Sequence, residues 1–376
     1  MVETGCASPP RLEEAVALSL LRLGADARAP RALKDVTSHD SGMTALPERL
    51  LDALGVPPDE HPRRIAAARR WAREALGVAS QRGIRVVAWF EPSYPHLLRE
   101  IPDPPIVLWL EGDPDRLSRP AVAIVGSRRA TPAGIAAAQS LGRELAEAGV
   151  VVVSGLARGV DAAAHQGALA GSGVTIAVLG CGVDVTYPAE HGRLSRQIAA
   201  SGVLVSEFPP GMPPLPNHFP LRNRIISGLS RAVVVIEASE KSGSLITAKA
   251  ALDQGRDVLA VPGNVASGRY RGSHALIKDG APLVETVEDV LRELRWSPAN
   301  ASGCRQESKS SNISGLEAIM AAGEVYTVED LAERSGLSPS ALLAELGALE
   351  IRGRAGRTPG GGFVRLDNSA IGEGNG

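Results

Sequence analysis

The chain has 376 residues, a formal net charge of −2 at pH 7 and a pI near 6.4. Hydrophobic residues make up 44% and charged residues 22%, which excludes a fibrous or intrinsically disordered chain and, at this length, predicts two or three domains. The charge balance excludes bulk attraction to polyanions, so any nucleic-acid site must be a local basic cluster.

The cysteines and the hydropathy of the sequence indicate in which cellular compartment the protein is found. Cys6, Cys181 and Cys304 are odd in number and far apart, so neither a disulfide framework nor a metal site is expected. No secretory signal pattern opens the chain, and no apolar run is long enough for a membrane helix. We therefore expect a soluble cytoplasmic protein without a membrane partner.

Residues 1–90 predict a helical N-terminal domain. Apolar residues recur with helical spacing over 11–86, with a polar interruption at 34–44. A second amphipathic helix is predicted over 62–76, with several arginines on its polar face. We interpret that face as solvated.

Residues 91–296 predict the main core. Short apolar runs alternate with Ala-rich helical segments, a pattern typical of a parallel α/β sheet. Because the runs lack polar alternation, both faces of each strand should be covered, which favours a Rossmann-like doubly wound sheet. The predicted strands are 121–125, 150–154, 175–179, 203–206, 232–236 and 257–261.

The C-terminal part predicts a linker at 297–313 and a winged helix at 314–367. Its recognition helix, 339–349, contains one carboxylate and no Lys or Arg, so it is unsuited to reading a major groove. Arg352, Arg354 and Arg357 on the wing leave weak backbone contact open, but protein contact or scaffolding is the favoured interpretation.

The turn after the first sheet strand is the first candidate anion site. Gly126, Ser127, Arg128 and Arg129 lie between a strand and a helix that begins near Pro132. Backbone amides and a helix N-terminus can bind phosphate there, and guanidinium groups strengthen the site. The spacing is not GxGxxG and no acidic residue is placed for a ribose, so no dinucleotide cofactor is expected. A purely structural turn is the alternative.

A second glycine turn carries Arg158 at the same predicted sheet edge. Asp161 and His165 follow, four residues apart, which could indicate acid–base catalysis. Helix capping by Asp161 together with a hydrogen-bonded buried histidine is the simpler interpretation.

Two later segments add polar and aromatic candidates. Phe219, Arg222 and Arg224 could stack a base and contact phosphates of a single strand. The alternative is a buried phenylalanine and arginines paired with Glu207 and Glu237. The loop with Lys241, Ser242 and Gly243 opens another helix and offers further donors, but it lacks the Walker order, so nucleotide hydrolysis is not supported.

Seven motifs occur together in order. They are VGSRRAT, SGLARGVDAAAH, AVLGCGVDVTYP, SEFPPG, HFPLRNRIISGLS, SGSLITAKAAL and AVPGN. With these motifs the chain resembles the DNA-processing protein A (DprA) family over 94–294, and the winged helix fits as well. The resemblance over the N-terminal helices is weaker.

The resemblance implies an extended Rossmann-like fold that binds single-stranded DNA, protects it in natural transformation or recombination, and helps load the RecA recombinase. It implies no enzymatic activity and no cofactor. Many members carry a lysine at Pro216, and some have a basic residue near Ala189, so Arg129, Arg158 or Lys241 would have to compensate. The DNA pocket maps onto Gly126, Ser127, Arg128, Phe219, Arg222 and Asn223.

The resemblance also implies a homodimer. Its interface maps onto the last helices of the sheet domain, where apolar positions alternate. The alternative is that Ile277 and Leu283 are ordinary core residues. The interface residues are Leu252, His274, Ile277, Lys278 and Leu283.

Two other function classes remain open. A nucleotide-processing enzyme on the same scaffold would need a carboxylate in the pocket, and Glu207 and Glu237 are the candidates. A protein-interaction scaffold would instead depend on the winged helix, and deletion of 315–376 would abolish its partner binding.

Overall fold

The computed structural model describes residues 9–23 and 46–296, and in the C-terminal part residues 320, 325–335, 342, 346, 349, 355–358 and 362–365. The chain divides into two compact units, Met1–Ser302 and Gly303–Gly376. The boundary between the units falls inside the predicted linker, whose residues 297–313 themselves lie outside the described ranges.

An eight-stranded sheet organises the first unit, in the order β1-β2-β6-β5-β4-β3-β7-β8. The strands from β3 to β8 are parallel, whereas β1 and β2 join the edge at β6 in antiparallel pairing. The strands are β1 Arg85–Ala88, β2 Val107–Gly112, β3 Ala121–Gly126, β4 Val151–Ser154, β5 Thr175–Leu179, β6 Val203–Ser206, β7 Ala232–Ile236 and β8 Asp257–Ala260.

Helices cover both faces of this sheet. In chain order they are α1 Pro9–Leu23, α2 Leu46–Ala53, α3 His61–Gln81, α4 His96–Arg99, α5 Pro132–Glu147, α6 Val160–Ala170, α7 Gly192–Ser201, α8 His218–Gly228, α9 Ser244–Asp253, α10 Arg271–Lys278 and α11 Val287–Glu293.

The alternation of side chains along β3 explains why the sheet is covered twice. Val122 and Ile124 pack with α5 and α6 on one face, while Ala123 and Val125 pack with α8 and α9 on the other. The predicted Rossmann-like doubly wound sheet is therefore confirmed, and all six predicted strands occur within one residue of their expected ends.

The two antiparallel edge strands were not predicted, and the helical interpretation of 11–86 is wrong at its end. Helix α3 stops at Gln81, Gly83 adopts a positive φ of 67°, and β1 begins at Arg85. A glycine in this conformation reverses the chain direction at low cost. The apolar run before Gly112 was the available signal for β2.

The N-terminal helices share a core with the sheet. Val16 of α1, Leu50 of α2 and Ala72 of α3 belong to the same buried cluster as Trp109 of β2 and Leu179 of β5. The expected division at residue 90 is therefore not a boundary between compact units. On the polar face of α3, three arginines pair with glutamates in Arg64–Glu60, Arg69–Glu14 and Arg73–Glu13.

The C-terminal unit is a winged helix. Its described elements are β9 Val325–Tyr326, α12 Val328–Ser335, β10 Ala355–Arg357 and β11 Phe363–Arg365, with the strands in the order β10-β11-β9. Residues 342, 346 and 349 of the predicted recognition helix are helical and buried. Arg352, Arg354 and the side chain of Arg357 lie outside the described residues.

Within the described ranges, no helix combines the length and apolar character needed to cross a membrane.

A core substitution tests the placement of β3. We expect Ile124→Ala to lower the free energy of unfolding by about 2–5 kcal/mol, because a fully buried side chain is truncated. Urea denaturation followed by circular dichroism measures this loss. Ile246→Ala, at an exposed position of α9, is the control and should cost under about 0.5 kcal/mol. Equal losses would contradict the central position of β3.

Candidate functional site

A pocket opens at the carboxyl ends of the parallel strands, where the strand order changes direction between β3 and β7. Open α/β sheets bind ligands at such switch points. The pocket has a volume of about 570 Å³. It is lined by the loop 126–129 after β3, the first turns of α8, the loop 242–244 before α9, Tyr187, Pro214 and Pro216.

The glycine turns after β3 and β4 pack directly on each other. A Cβ at Gly126 would lie 1.9 Å from the Ile236 carbonyl oxygen, so only glycine fits there. Gly159 has a φ of 76°, and the Val160 amide donates to the Ser127 carbonyl at 3.1 Å. This packing holds the loop after β3 in place and leaves Arg128 and Arg129 exposed at the pocket.

Arg222 forms the floor between the two turns. Its side chain is buried, its Nη2 donates to the Gly155 carbonyl at 2.7 Å, and its buried Nε has no hydrogen-bond partner. Burial lowers the pKa of Arg222 to about 10, although Asp161 opposes the shift. The guanidinium therefore remains charged at neutral pH and supplies a positive potential beneath the pocket.

An aromatic pair stands beside these cations. The Arg128 guanidinium carbon lies 5.6 Å from the Phe219 ring centroid, within cation–π range. The Tyr187 and Phe219 centroids are 5.3 Å apart. Tyr187 lies in the motif AVLGCGVDVTYP but was not among the predicted site residues, because its exposure cannot be read from the sequence.

Ser127, Asn223, Ser242 and Gly243 also line the pocket, as expected. Lys241 is exposed and does not line it. Arg158 lines an adjoining pocket of about 150 Å³ and pairs with Glu190.

Arg224 is not brought to the pocket. Its guanidinium pairs with Glu207 at 2.8 Å and with Asp103 at 3.0 Å, and Arg22 of α1 joins the same buried network. Burial disfavours the charge of Arg224, but both carboxylates outweigh it and raise its pKa. The alternative of an internal ion pair therefore holds for Arg224, and we remove this residue from the candidate DNA contacts.

The N-terminus of α5 is occupied by a side chain of the protein itself, contrary to the expected anion site. Glu237, buried with a φ of 51°, accepts from the Thr131 amide at 2.8 Å and from its hydroxyl at 2.7 Å. The carboxylate takes the position that an external phosphate would need. Arg128, Arg129 and the loop after β3 remain as candidate anion-binding groups.

Asp161 and His165 form no catalytic pair. Asp161 accepts from the Gly155 amide at 3.2 Å, and burial raises its pKa. His165 Nδ1 lies 2.6 Å from the Thr175 hydroxyl, which donates onward to the Val152 carbonyl at 2.7 Å, so Nδ1 carries the proton. We expected a fully hydrogen-bonded histidine, but the buried His165 Nε2 has no hydrogen-bond partner.

The carboxylates considered for an enzyme are engaged elsewhere. Burial would raise the pKa of Glu207, but Arg224 and Arg22 hold it below its usual value. Glu237 accepts hydrogen bonds from Thr131, the N-cap residue of α5, and Arg269 lies 3.5 Å from it. Among the residues described, no group of three or more His, Cys, Asp and Glu side chains could hold a metal ion.

The predicted interface residues lie near the β8 edge of the sheet. Leu252 and Leu283 are exposed, and His274 and Ile277 of α10 are half-buried. Leu283 bridges to Ala260 beside β8, the edge strand. Lys278 is exposed at the end of α10.

Comparison with known proteins assigns both units to family models. Residues 85–295 match the model described as DNA recombination-mediator protein A, and residues 318–361 match the DprA winged helix domain. The DNA processing protein DprA of Streptococcus pneumoniae is 47% identical over 54% of this chain and 72% of its own length. Protein Smf of Escherichia coli is 41% identical over 73% of this chain and 75% of its own.

Solved structures agree. DNA processing protein A from Streptococcus pneumoniae superimposes with a TM-score of 0.64 at 36% identity, covering 76% of this chain and 96% of that one. A structure showing the single-stranded DNA binding mode of DNA processing protein A from Helicobacter pylori gives a TM-score of 0.50 at 32% identity, over 54% of this chain and 92% of that one.

The buried histidine predicts a pH effect on stability. Burial lowers the pKa of His165 from 6.5 to about 3, so its contribution is complete above pH 6.5 and is lost as the pH falls toward 3. His165→Asn keeps a donor but does not titrate. We expect the stability difference between wild type and this variant to change in the variant's favour from about pH 7 to about pH 4.

Urea titrations at several pH values measure that difference. His96→Asn makes the same replacement at an exposed position and is the control for the exchange of imidazole for amide. A difference for His165→Asn that does not vary with pH would contradict a neutral buried imidazole.

Proposed function

This chain belongs to the DNA recombination-mediator protein A (DprA) family, as its motifs indicated, and from that membership we propose that its pocket binds single-stranded DNA. Relatives named DNA processing protein, and the Helicobacter pylori structure that shows a single-stranded DNA binding mode, support the proposal. The protein binds the strand and carries out no chemistry on it.

The observation that carries the proposal is the meeting of Arg128, Phe219 and Arg222 in one pocket. Two guanidinium groups and an aromatic ring converge there from separate parts of the chain. Positive charge attracts phosphates, and an accessible ring stacks bases, which together suit an unpaired strand. Ser127, Asn223, Ser242 and Gly243 add polar donors along the wall.

A duplex suits this site less well. Its bases are paired and stacked inward, so a ring in a pocket at a sheet edge cannot reach their faces without unpairing them. The phosphate contacts alone would then remain. We therefore expect affinity for a single strand to exceed affinity for a duplex of the same sequence.

The proposal extends to recombination. We propose that the bound strand is protected and passed to the RecA recombinase during natural transformation or related recombination. The family's description as a recombination mediator supports the mediating part of this role. Arg129, Arg158 and Lys241 lie at or near the pocket and are proposed to supply the charge that Pro216 lacks.

A nucleotide-processing activity finds less support. Asp161 is the acidic side chain among the residues that line the main pocket, and it is held by the Gly155 amide beneath the surface. General acid–base work needs a carboxyl group within hydrogen-bond reach of its substrate. Glu207 and Glu237 are committed to Arg224 and Thr131.

We also propose a homodimer through the β8 edge. The side chains of Leu252 and Leu283 are exposed there, and that of Ile277 is half-buried. Neighbouring exposed apolar side chains are typical of a protein interface. His274 and Lys278 complete the proposed contact.

Charge reversal tests the DNA site. We expect Arg128→Glu to weaken binding of a single-stranded oligonucleotide by about tenfold or more and to reduce the slope of log K against log salt, because a phosphate contact is lost. Gel-shift titrations over a salt series measure both. Arg70→Glu, an equal charge change at an exposed position of α3, is the control and should bind as wild type. Equal affinity of both variants would remove the pocket from consideration.

Interface disruption tests the dimer. We expect Leu283→Glu to yield a monomer, since it buries an unpaired carboxylate in the proposed contact. Light scattering at several protein concentrations measures the mass. Val265→Glu alters an exposed apolar side chain outside the proposed patch and should leave the mass unchanged. A wild-type monomer, or a Leu283→Glu dimer, would refute this interface.

A further inference from the structure

Apolar side chains gather at the rim of the proposed DNA pocket. In the described ranges seven large hydrophobic side chains are exposed, and Tyr187 and Ile246 among them line the pocket. Leu215, also exposed, lies between the lining residues Pro214 and Pro216. Exposed apolar surface concentrated beside a polar site is typical of ligand contact.

Tyr187 offers more free surface than Phe219. Phe219 is half-buried, with Arg128 near its face and Gly180 so close that a Cβ there would lie 3.0 Å from its ring. Tyr187 is 42% exposed, and its hydroxyl makes no hydrogen bond to any described residue. The tyrosine ring is therefore not held by a polar partner, and the neighbouring Phe219 ring supports one side of it.

Ile246 extends the apolar rim to the other end of the pocket. Tyr187 follows β5, Ile246 follows β7, and strands β4 and β3 lie between them in the sheet. Three strand spacings correspond to roughly 14 Å. Neighbouring phosphates of a stacked strand are ~3.4 Å apart along its axis, so the rim is long enough to meet more than one nucleotide.

Arg128 and Arg129 are exposed cations of the pocket, but its other polar groups lie deeper than its exposed apolar side chains. Arg222 is buried at the floor and Ser127 and Ser242 lie along the wall, whereas Tyr187 and Ile246 stand exposed at the rim. A strand entering with its phosphates toward the cations therefore turns its bases toward the rim.

We infer that Tyr187 and Ile246 are base-contacting residues, Tyr187 by stacking on one base and Ile246 by apolar contact with another. The inference rests on the proposed single-stranded DNA binding. On this inference, the contacts at the rim contribute a part of the binding free energy that depends on the bases and not on the salt concentration. This part compensates for the positive charge that is missing at Pro216.

The test compares an oligothymidylate with an oligonucleotide of the same length whose bases are replaced by abasic sites. We expect Tyr187→Ala to weaken oligothymidylate binding by about tenfold and Tyr187→Phe to stay within about twofold of wild type, because the stacking ring is kept. Ile246→Ala should cause a smaller loss of about threefold. Trp71→Ala removes an exposed aromatic ring on α3, outside the pocket, and should bind as wild type.

Two readouts separate base contact from other causes. The slope of log K against log salt should be the same for Tyr187→Ala and wild type, because no phosphate contact is removed. On the abasic strand, wild type and Tyr187→Ala should bind equally weakly. Circular dichroism and urea denaturation verify that each variant is folded.

Several results would overturn the inference. They are unchanged oligothymidylate affinity for Tyr187→Ala, an equal loss on the abasic strand, or a reduced salt slope. If wild type binds oligothymidylate and Arg128→Glu does not, while Tyr187→Ala binds normally, the proposed function stands and this inference fails. If wild type binds no single strand, both fail.

Discussion

The pocket depends on the contact between the Arg222 guanidinium and the backbone at Gly155. A Cβ at Gly155 would lie 1.7 Å from Arg222 Nη1, so the arginine can lie there only because residue 155 is glycine. Removing a charge from water is costly unless hydrogen bonds and opposite charge compensate, and here the Gly155 carbonyl and the nearby Asp161 do so. The contact joins the first turns of α8 to the loop after β4, and so fixes Phe219 and Asn223 beside the loop after β3.

Internal carboxylates decide which cations and helix ends face the ligand. Glu237 binds Thr131, the N-cap residue of α5, Glu207 and Asp103 neutralise Arg224, and Asp161 binds the turn after β4. Each removes a group that the sequence pattern alone would have assigned to an anion. Arg128 and Arg129 remain exposed. The positively charged surface at the pocket is therefore smaller than the number of arginines in the surrounding motifs would suggest.

The ion-pair network around Glu207 also gives the N-terminal helices a structural role. Arg22 at the end of α1 pairs with Asp103 and reaches Glu207 at 3.7 Å, and both carboxylates bind Arg224 of α8. Removing one member of a buried network leaves an uncompensated charge, which is strongly destabilising. Helix α1, which is remote in sequence, thereby stabilises the position of α8, the helix that carries Phe219.

The parallel sheet could be predicted from the sequence alone, because uninterrupted Val and Ile runs specify buried strands. The glycine turns could be located in the same way, because their motifs are local. The sequence also identified the family. Tertiary structure decided the antiparallel edge strands β1 and β2, since short runs acquire strand character from their neighbours. It placed Arg222 at the pocket and Arg224, two residues later, in a buried ion-pair network with Glu207. It also brought Tyr187 beside Phe219. Motif spacing predicts which residues share an element, whereas pairing of charges and rings depends on distances between elements that only the folded chain defines.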